Sequence, residues 1–157
     1  MALQQGINSY VSNEQADDYF LNRVHNGVWD DNIDIQEEAL VTASGILDLE
    51  KWVGMTTSPD QPLAWPRVGV VVNTRSGWDI DLDKIVGGVP QAVIRATCEL
   101  ALHLINNEDL LEDTGTTESL KVSSITLVST TKAEKIPTYI RSIYRELLVS
   151  GGDRRVF

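Results

Sequence analysis

A single cysteine, Cys98, excludes an internal disulfide framework and fits folding in a reducing compartment. No apolar run approaches the ~18 residues of a membrane span. The longest stretches are short and interrupted, as in residues 68–72. The opening residues MALQQGINSYVSNEQ carry neither the basic nor the apolar region of a secretory signal. No Asn-x-Ser/Thr sequon occurs. The expectation is a soluble protein, without membrane partners, made and used inside a cell or inside something assembled there. Basic residues are scarce: 13 Lys and Arg stand against 23 Asp and Glu, a net charge of −10. A chain of that sign is expected to repel nucleic acid, since phosphate attraction is the main term in non-specific binding.

What is present is ordinary globular material. The chain has 157 residues, 42% hydrophobic and 23% charged, enough to bury a core in one domain without a staple. The charge is divided along the chain. Residues 1–120 carry 6 basic and 20 acidic side chains (net −14), and residues 121–157 carry 7 basic and 3 acidic (net +4). Such asymmetry marks either two surfaces with different partners or a basic C-terminal helix laid on an acidic body.

Helical signals dominate. Ser12 followed by Gln15 makes a capping box, and Ala16, Tyr19, Phe20 and Val24 recur at helical spacing until Asn26-Gly27. A second box, Asp34 and Glu37, opens a helix with Ala39, Leu40, Ala43, Ile46 and Leu47 on one face, ending near Glu50. A third helix follows Gly87-Gly88, with Pro90 in its first turn. Val93, Ile94, Thr97, Cys98, Leu100, Ala101, Leu104 and Ile105 form a stripe wide enough for a central buried helix. Asn106-Asn107 ends it, and a polar acidic loop follows. Residues 120–131 are β-branched and alternating, a strand or one arm of a hairpin. A last helix starts at Pro137, with Ile140, Ile143, Tyr144 and Leu147 on one face, and runs to Gly151-Gly152. Residues 51–88 interrupt this pattern with three of the four Trp and three of the five Pro. A connection that long is usually functional. The fold class expected is mainly α with a small β element. It would be one compact helical bundle over residues 1–150, with a long Trp/Pro/Gly-rich insertion at 51–88 and a tail at 151–157.

The chemistry-bearing patterns fail one by one. Asp79, Asp81 and Asp83 have the spacing that opens a calcium loop, but Lys84 and Pro90 stand where Gly and Glu are needed. Alternation with Trp78, Ile80 and Leu82 fits an extended strand with an acidic face instead. His25 and His103 have no ligand-spaced partner. Cys98, among apolar residues, reads as a buried inert thiol. There is no nucleophile elbow, phosphate-cradling loop or zinc-protease motif. Trp29, Trp52 and Trp78 stand next to acidic residues, and Trp65 alone has a nearby cation, Arg67. Stacking sites combine aromatics with a basic groove, so core or interface packing is the better reading of the tryptophans. No catalytic residue, cofactor or metal is expected, and the chain is read as a non-enzyme.

The order of elements is similar to a known family. Asn8-Ser9-Tyr10-Val11-Ser12 leads into Ala16-Asp17-Asp18-Tyr19-Phe20. Glu38-Ala39-Leu40 and Thr42-Ala43 come next, then Leu63-Ala64-Trp65-Pro66-Arg67 with Gly69. Gly88-Val89-Pro90 and Glu99-Leu100-Ala101 follow. Across residues 8–148 the chain resembles the head–tail connector or adaptor proteins of tailed bacteriophages, a family also labelled DnaT-like single-stranded DNA-binding protein. The resemblance implies a virion structural protein, assembled in the host cytoplasm and located at the head–tail interface. It would form a ring of about twelve copies beneath the portal protein, extend the DNA channel and offer a platform to the tail or a second connector. Double-stranded DNA would pass through the lumen without specific binding, past an acidic wall. Relatives of this kind dock a C-terminal segment on the portal, here Asp153, Arg154, Arg155, Val156 and Phe157. Leu63, Ala64, Trp65, Pro66 and Arg67 would be either a packed turn or a subunit contact. The competing readings are a single-stranded DNA-binding protein of phage replication, as the family label has it, and an acidic regulatory or chaperone-like domain.

Overall fold

The structure is a computed structural model that describes residues 2–25, 27–70, 73–74, 77–78, 88–111, 118–122, 125–129 and 135–149. Among these the fold is mainly α with small antiparallel hairpins, as the sequence pattern predicts. The helices are α1 (Asn13–Leu21), α2 (Gly27–Asp31), α3 (Gln36–Asp48), α4 (Gln91–Asn106) and α5 (Thr138–Tyr144). The strands are β1 (Met55–Thr56) paired with β2 (Arg67–Val68), β3 (Asn73–Thr74) with β4 (Gly77–Trp78), and β5 (Glu118–Val122) with β6 (Ile125–Ser129).

The central helix is α4, packed between α3 and α5. Val93, Ala96, Thr97, Cys98, Glu99, Leu100, Ala101, Leu102 and Leu104 are all buried, which is the wide stripe expected of a helix covered on most sides. Removal of this much apolar surface from water is the main stabilising term of the domain. The facing side of α3 supplies Ala39, Leu40, Ala43 and Leu47.

Local chemistry sets the helix ends. Ser12 and Gln15 form the expected capping box on α1. The helix stops at Leu21, earlier than the Asn26-Gly27 signal, because the chain turns through Asn22 and a left-handed His25 (φ 61°). Val24 is therefore exposed and outside the helical face, and Gly27 begins α2. The predicted Asp34 and Glu37 box does not form. Asp34 lies in a 3-10 turn, Ile33–Ile35, and α3 begins after it. Gln36 instead donates from Nε2 to the Trp29 carbonyl at 2.9 Å, which fixes the angle between α2 and α3. Trp29 stacks on Phe20 at 4.4 Å and donates from Nε1 to Asp17 at 2.8 Å. Pro90 caps α4 rather than occupying its first turn. The last helix ends at Tyr144 and tightens into a 3-10 turn, Arg145–Leu147, well before Gly151.

The insertion is not a free loop. Its first part folds back as the β1–β2 hairpin. Trp65 and Trp52 are buried and meet edge to face at 5.7 Å, and Trp52 also leans on Tyr144 at 5.1 Å. Asp48 accepts from the Tyr10 hydroxyl and from the Ala64 amide (3.1 Å), tying the N-terminal arm, the end of α3 and the insertion together. Residues 147–149 are held by Val53 N–H on the Leu147 carbonyl (2.9 Å) and Val149 N–H on the Lys51 carbonyl (2.8 Å). Val68 pairs within β2, and Val70 turns into the core.

Candidate functional site

The segment singled out by sequence is built into the subunit. Leu63 and Trp65 are buried, Ala64 and Pro66 half-buried, and the Trp65–Pro66 bond is cis. Arg67 sends its guanidinium to three backbone carbonyls, those of Val53 (2.7 Å), Ala64 (3.2 Å) and Gly54 (2.6 Å). Its donors close the hairpin. Asp153, Arg154, Arg155, Val156 and Phe157 lie outside the described residues, as do Asp79, Asp81 and Asp83.

The tryptophans read as packing residues are inside wherever their side chains are described: Trp29, Trp52 and Trp65. Burial pushes the Cys98 thiol up to about 12 and pulls the His103 imidazole below its ordinary value. His103 Nε2 is buried without a hydrogen-bond partner. Among the described residues no group of three or more His, Cys, Asp or Glu could hold a metal ion. A shallow apolar groove of about 160 Å³ lies between α3 and α4, lined by Ile35, Ala39, Leu104, Ile105 and Leu111. It offers little to an anion.

One polar cluster stands apart. Glu99, halfway along α4, is a buried acid with 5% of its surface exposed. A carboxylate so placed needs a cation and hydrogen bonds to offset lost hydration. Arg23, just past α1, supplies both, donating from Nε to Oε1 at 2.7 Å and from the second terminal nitrogen to Oε2 at 3.0 Å. This is a bidentate pair of the strong, charge-assisted kind. The Tyr19 hydroxyl donates to Oε1 at 2.7 Å. Burial, and then Glu99, push that phenol up to about 12, while Arg95 beside it pulls the other way. Tyr139, at the start of α5, is 52% exposed. Its phenol is raised by burial and by Glu99, and lowered by Arg23. Tyr19 and Arg23 thus hold one carboxylate of α4, with Arg95 beside Tyr19 and Tyr139 of α5 within electrostatic reach of the pair. Arg95 is exposed and Arg23 partly so. A similar but smaller group, Arg141 on Glu50 at 3.0 Å beside Tyr144, lies near the other end of α5.

Exposed aromatic rings next to guanidinium groups form a surface on which unpaired bases stack while their phosphates meet a cation. Searching the sequence for stacking through tryptophan missed it. The signal was Glu99 itself, an acid in the middle of the apolar stripe of the central helix, four residues after Arg95.

The family described as "Putative DnaT-like ssDNA binding protein" matches residues 2–155. No curated protein and no solved structure matches the chain. The family match overturns the head–tail connector reading, together with its portal and adaptor role, and favours the single-stranded DNA reading ranked behind it. What stands against that reading is net charge. A total of −10 describes the field at long range. It says nothing of a local face where arginine and tyrosine side chains sit together.

Proposed function

The chain belongs to the DnaT-like single-stranded DNA-binding family, and on that premise we propose that it is a non-enzymatic protein that binds single-stranded DNA on the face formed by Tyr19, Arg23, Arg95 and Tyr139. The family match over residues 2–155 carries the reading. The cluster around Glu99 supports its placement.

Each stacked base contributes on the order of 1–3 kcal/mol on an aromatic platform, with little regard to sequence. Tyr139 and Tyr19 are the rings on this face with exposed surface. Arg95 adds a positive charge beside Tyr19. Binding of this kind rests on stacking more than on phosphate contacts. With Arg95 as the exposed cation of this face, the salt slope is only about −0.7, the contribution of one single-strand phosphate contact. The acidic remainder of the surface keeps the strand on this face.

Fluorescence anisotropy of a labelled oligo(dT) titrated with the protein tests the proposal. Saturable binding with a shallow salt slope, weakened by Tyr139→Ala and by Arg95→Gln, is the expected result. An oligonucleotide that stays free at all protein concentrations and at low salt would refute it.

A further inference from the structure

An acid at the centre of a DNA-binding face works against phosphate, and Glu99 does so in a specific way. All three nitrogens of the Arg23 guanidinium are engaged. Nε and one terminal nitrogen hold the two carboxylate oxygens at 2.7 and 3.0 Å. The other terminal nitrogen bonds the carbonyls of Val24 (3.3 Å) and His25 (3.4 Å). The carboxylate side chain is 7% exposed against 30% for Arg23, so the neutralising charge lies beneath the arginine, out of reach of solvent. The same carboxylate holds the Tyr19 hydroxyl and so fixes the ring.

We infer that Glu99 sets strand selectivity: it removes Arg23 from phosphate contact while holding Tyr19 in place, leaving a face that stacks unpaired bases and grips phosphate weakly. The inference rests on the DNA-binding reading above. Its logic is a difference between the two ligands. A duplex keeps its bases stacked inside and presents phosphates at about twice the linear charge density of one strand. To a face where Arg23 is already neutralised by the buried Glu99, a duplex offers dense phosphate charge and no unpaired base. A single strand offers bases to Tyr19 and Tyr139, and the stacking gain has no counterpart in the duplex. Glu99 therefore selects against duplex DNA by withholding a charge both ligands would use.

The test measures anisotropy of oligo(dT) and of a duplex of the same length over a range of salt. The proteins are wild type, Glu99→Gln, and Glu99→Gln combined with Arg23→Met. The amide oxygen can still accept from Arg23 Nε and Tyr19, but the amide NH2 cannot accept from the terminal nitrogen of Arg23, so the bidentate grip and the neutralising charge are both lost. With Arg23 released, the salt slope should steepen by about 0.9 for duplex and about 0.7 for the single strand. Duplex affinity should rise about 2.5-fold relative to oligo(dT) at about 0.01 M salt, where the slope difference of roughly 0.2 acts over two decades. The double variant, which removes the freed cation, should return slope and ratio to wild-type values. Tyr139→Ala approaches selectivity from the other side without touching the buried pair. Loss of one stacked base should weaken oligo(dT) roughly tenfold and leave duplex binding where it was. Wild-type binding to oligo(dT) with an unchanged ratio and slope in Glu99→Gln, or equal losses for both ligands in Tyr139→Ala, overturns the inference and leaves the DNA reading standing. Wild-type protein that binds neither ligand overturns the reading itself.

Discussion

Gly54 sits between Val53 and the first residue of β1 with φ +75°, a conformation that costs an L-residue about 1–2 kcal/mol. A Cβ added there would overlap the Val68 carbonyl oxygen and stand 2.8 Å from Val70 Cγ2. Val68 is the β2 partner of Met55, so a backbone atom of the hairpin has to move. Val70 is buried and has little room to yield. Overpacking of this kind adds about 1–3 kcal/mol. Gly54→Ala is therefore expected to cost about 2–5 kcal/mol in all. Two other glycines separate the contributions. Gly69 has φ +71° with nothing near its missing Cβ, so Gly69→Ala should cost only the backbone part, about 1–2 kcal/mol. Gly45 lies inside α3, exposed and with open space around it. There alanine should stabilise by about 0.8 kcal/mol. Urea titration of the three variants measures these differences, and Tm should follow at about 2–4 °C per kcal/mol. If Gly54→Ala falls within about 0.5 kcal/mol of Gly69→Ala, the close approach of the hairpin to Gly54 is refuted.

The buried ion pair makes a second prediction. Arg23→Met leaves Glu99 without its cation and should cost about 3 kcal/mol, whereas adding Glu99→Leu should recover most of that loss in denaturant melts. His103, with its imidazole held below the ordinary 6.5 by burial, takes up its proton at lower pH in the fold than in the unfolded chain. Stability should be full above about pH 6.5 and decline below it, and His103→Leu should flatten the decline in melts across about pH 5–7. Cys98, at about 12, should resist a thiol reagent at pH 8 in native buffer and react fully once unfolded; stoichiometric native labelling within minutes would contradict its burial. Tyr19 and Tyr144, both raised to about 12 by burial before any neighbour, stay protonated in the fold while unfolded tyrosines ionise near 10. Stability should be complete below pH 10 and lost above it, and ultraviolet titration should show these phenols ionising late.

The helical core was legible in the sequence because its signals are local and periodic. The stripe along α4 and the capping box of α1 depend on residues within a few positions of one another. The second capping box failed for a tertiary reason. Gln36 found the Trp29 carbonyl, and the chain entered α3 through a 3-10 turn that places Asp34 out of capping position. The structure of the insertion was not legible, since it is made by contacts far apart in sequence. Arg67 closes on Val53 and Gly54, and Asp48 joins Tyr10 to Ala64. The candidate site shares that difficulty. Tyr19 and Arg23 stand 80 and 76 positions from Glu99, and no spacing rule joins them. A buried acid in an apolar stripe does announce an unseen cation. Family resemblance failed differently: it led to the right family and to the less supported of the two functions attached to it.

The central claim is that one face of this acidic protein holds single-stranded DNA. Amide chemical-shift mapping during an oligo(dT) titration tests it most directly, because binding and its location are read together. Saturable shifts are expected at Tyr19, Arg23, Arg95 and Tyr139, with the α3 surface around Glu37 and Glu38 unmoved. Spectra that do not change at saturating oligo(dT), or shifts gathered on a face that excludes these four residues, would contradict it.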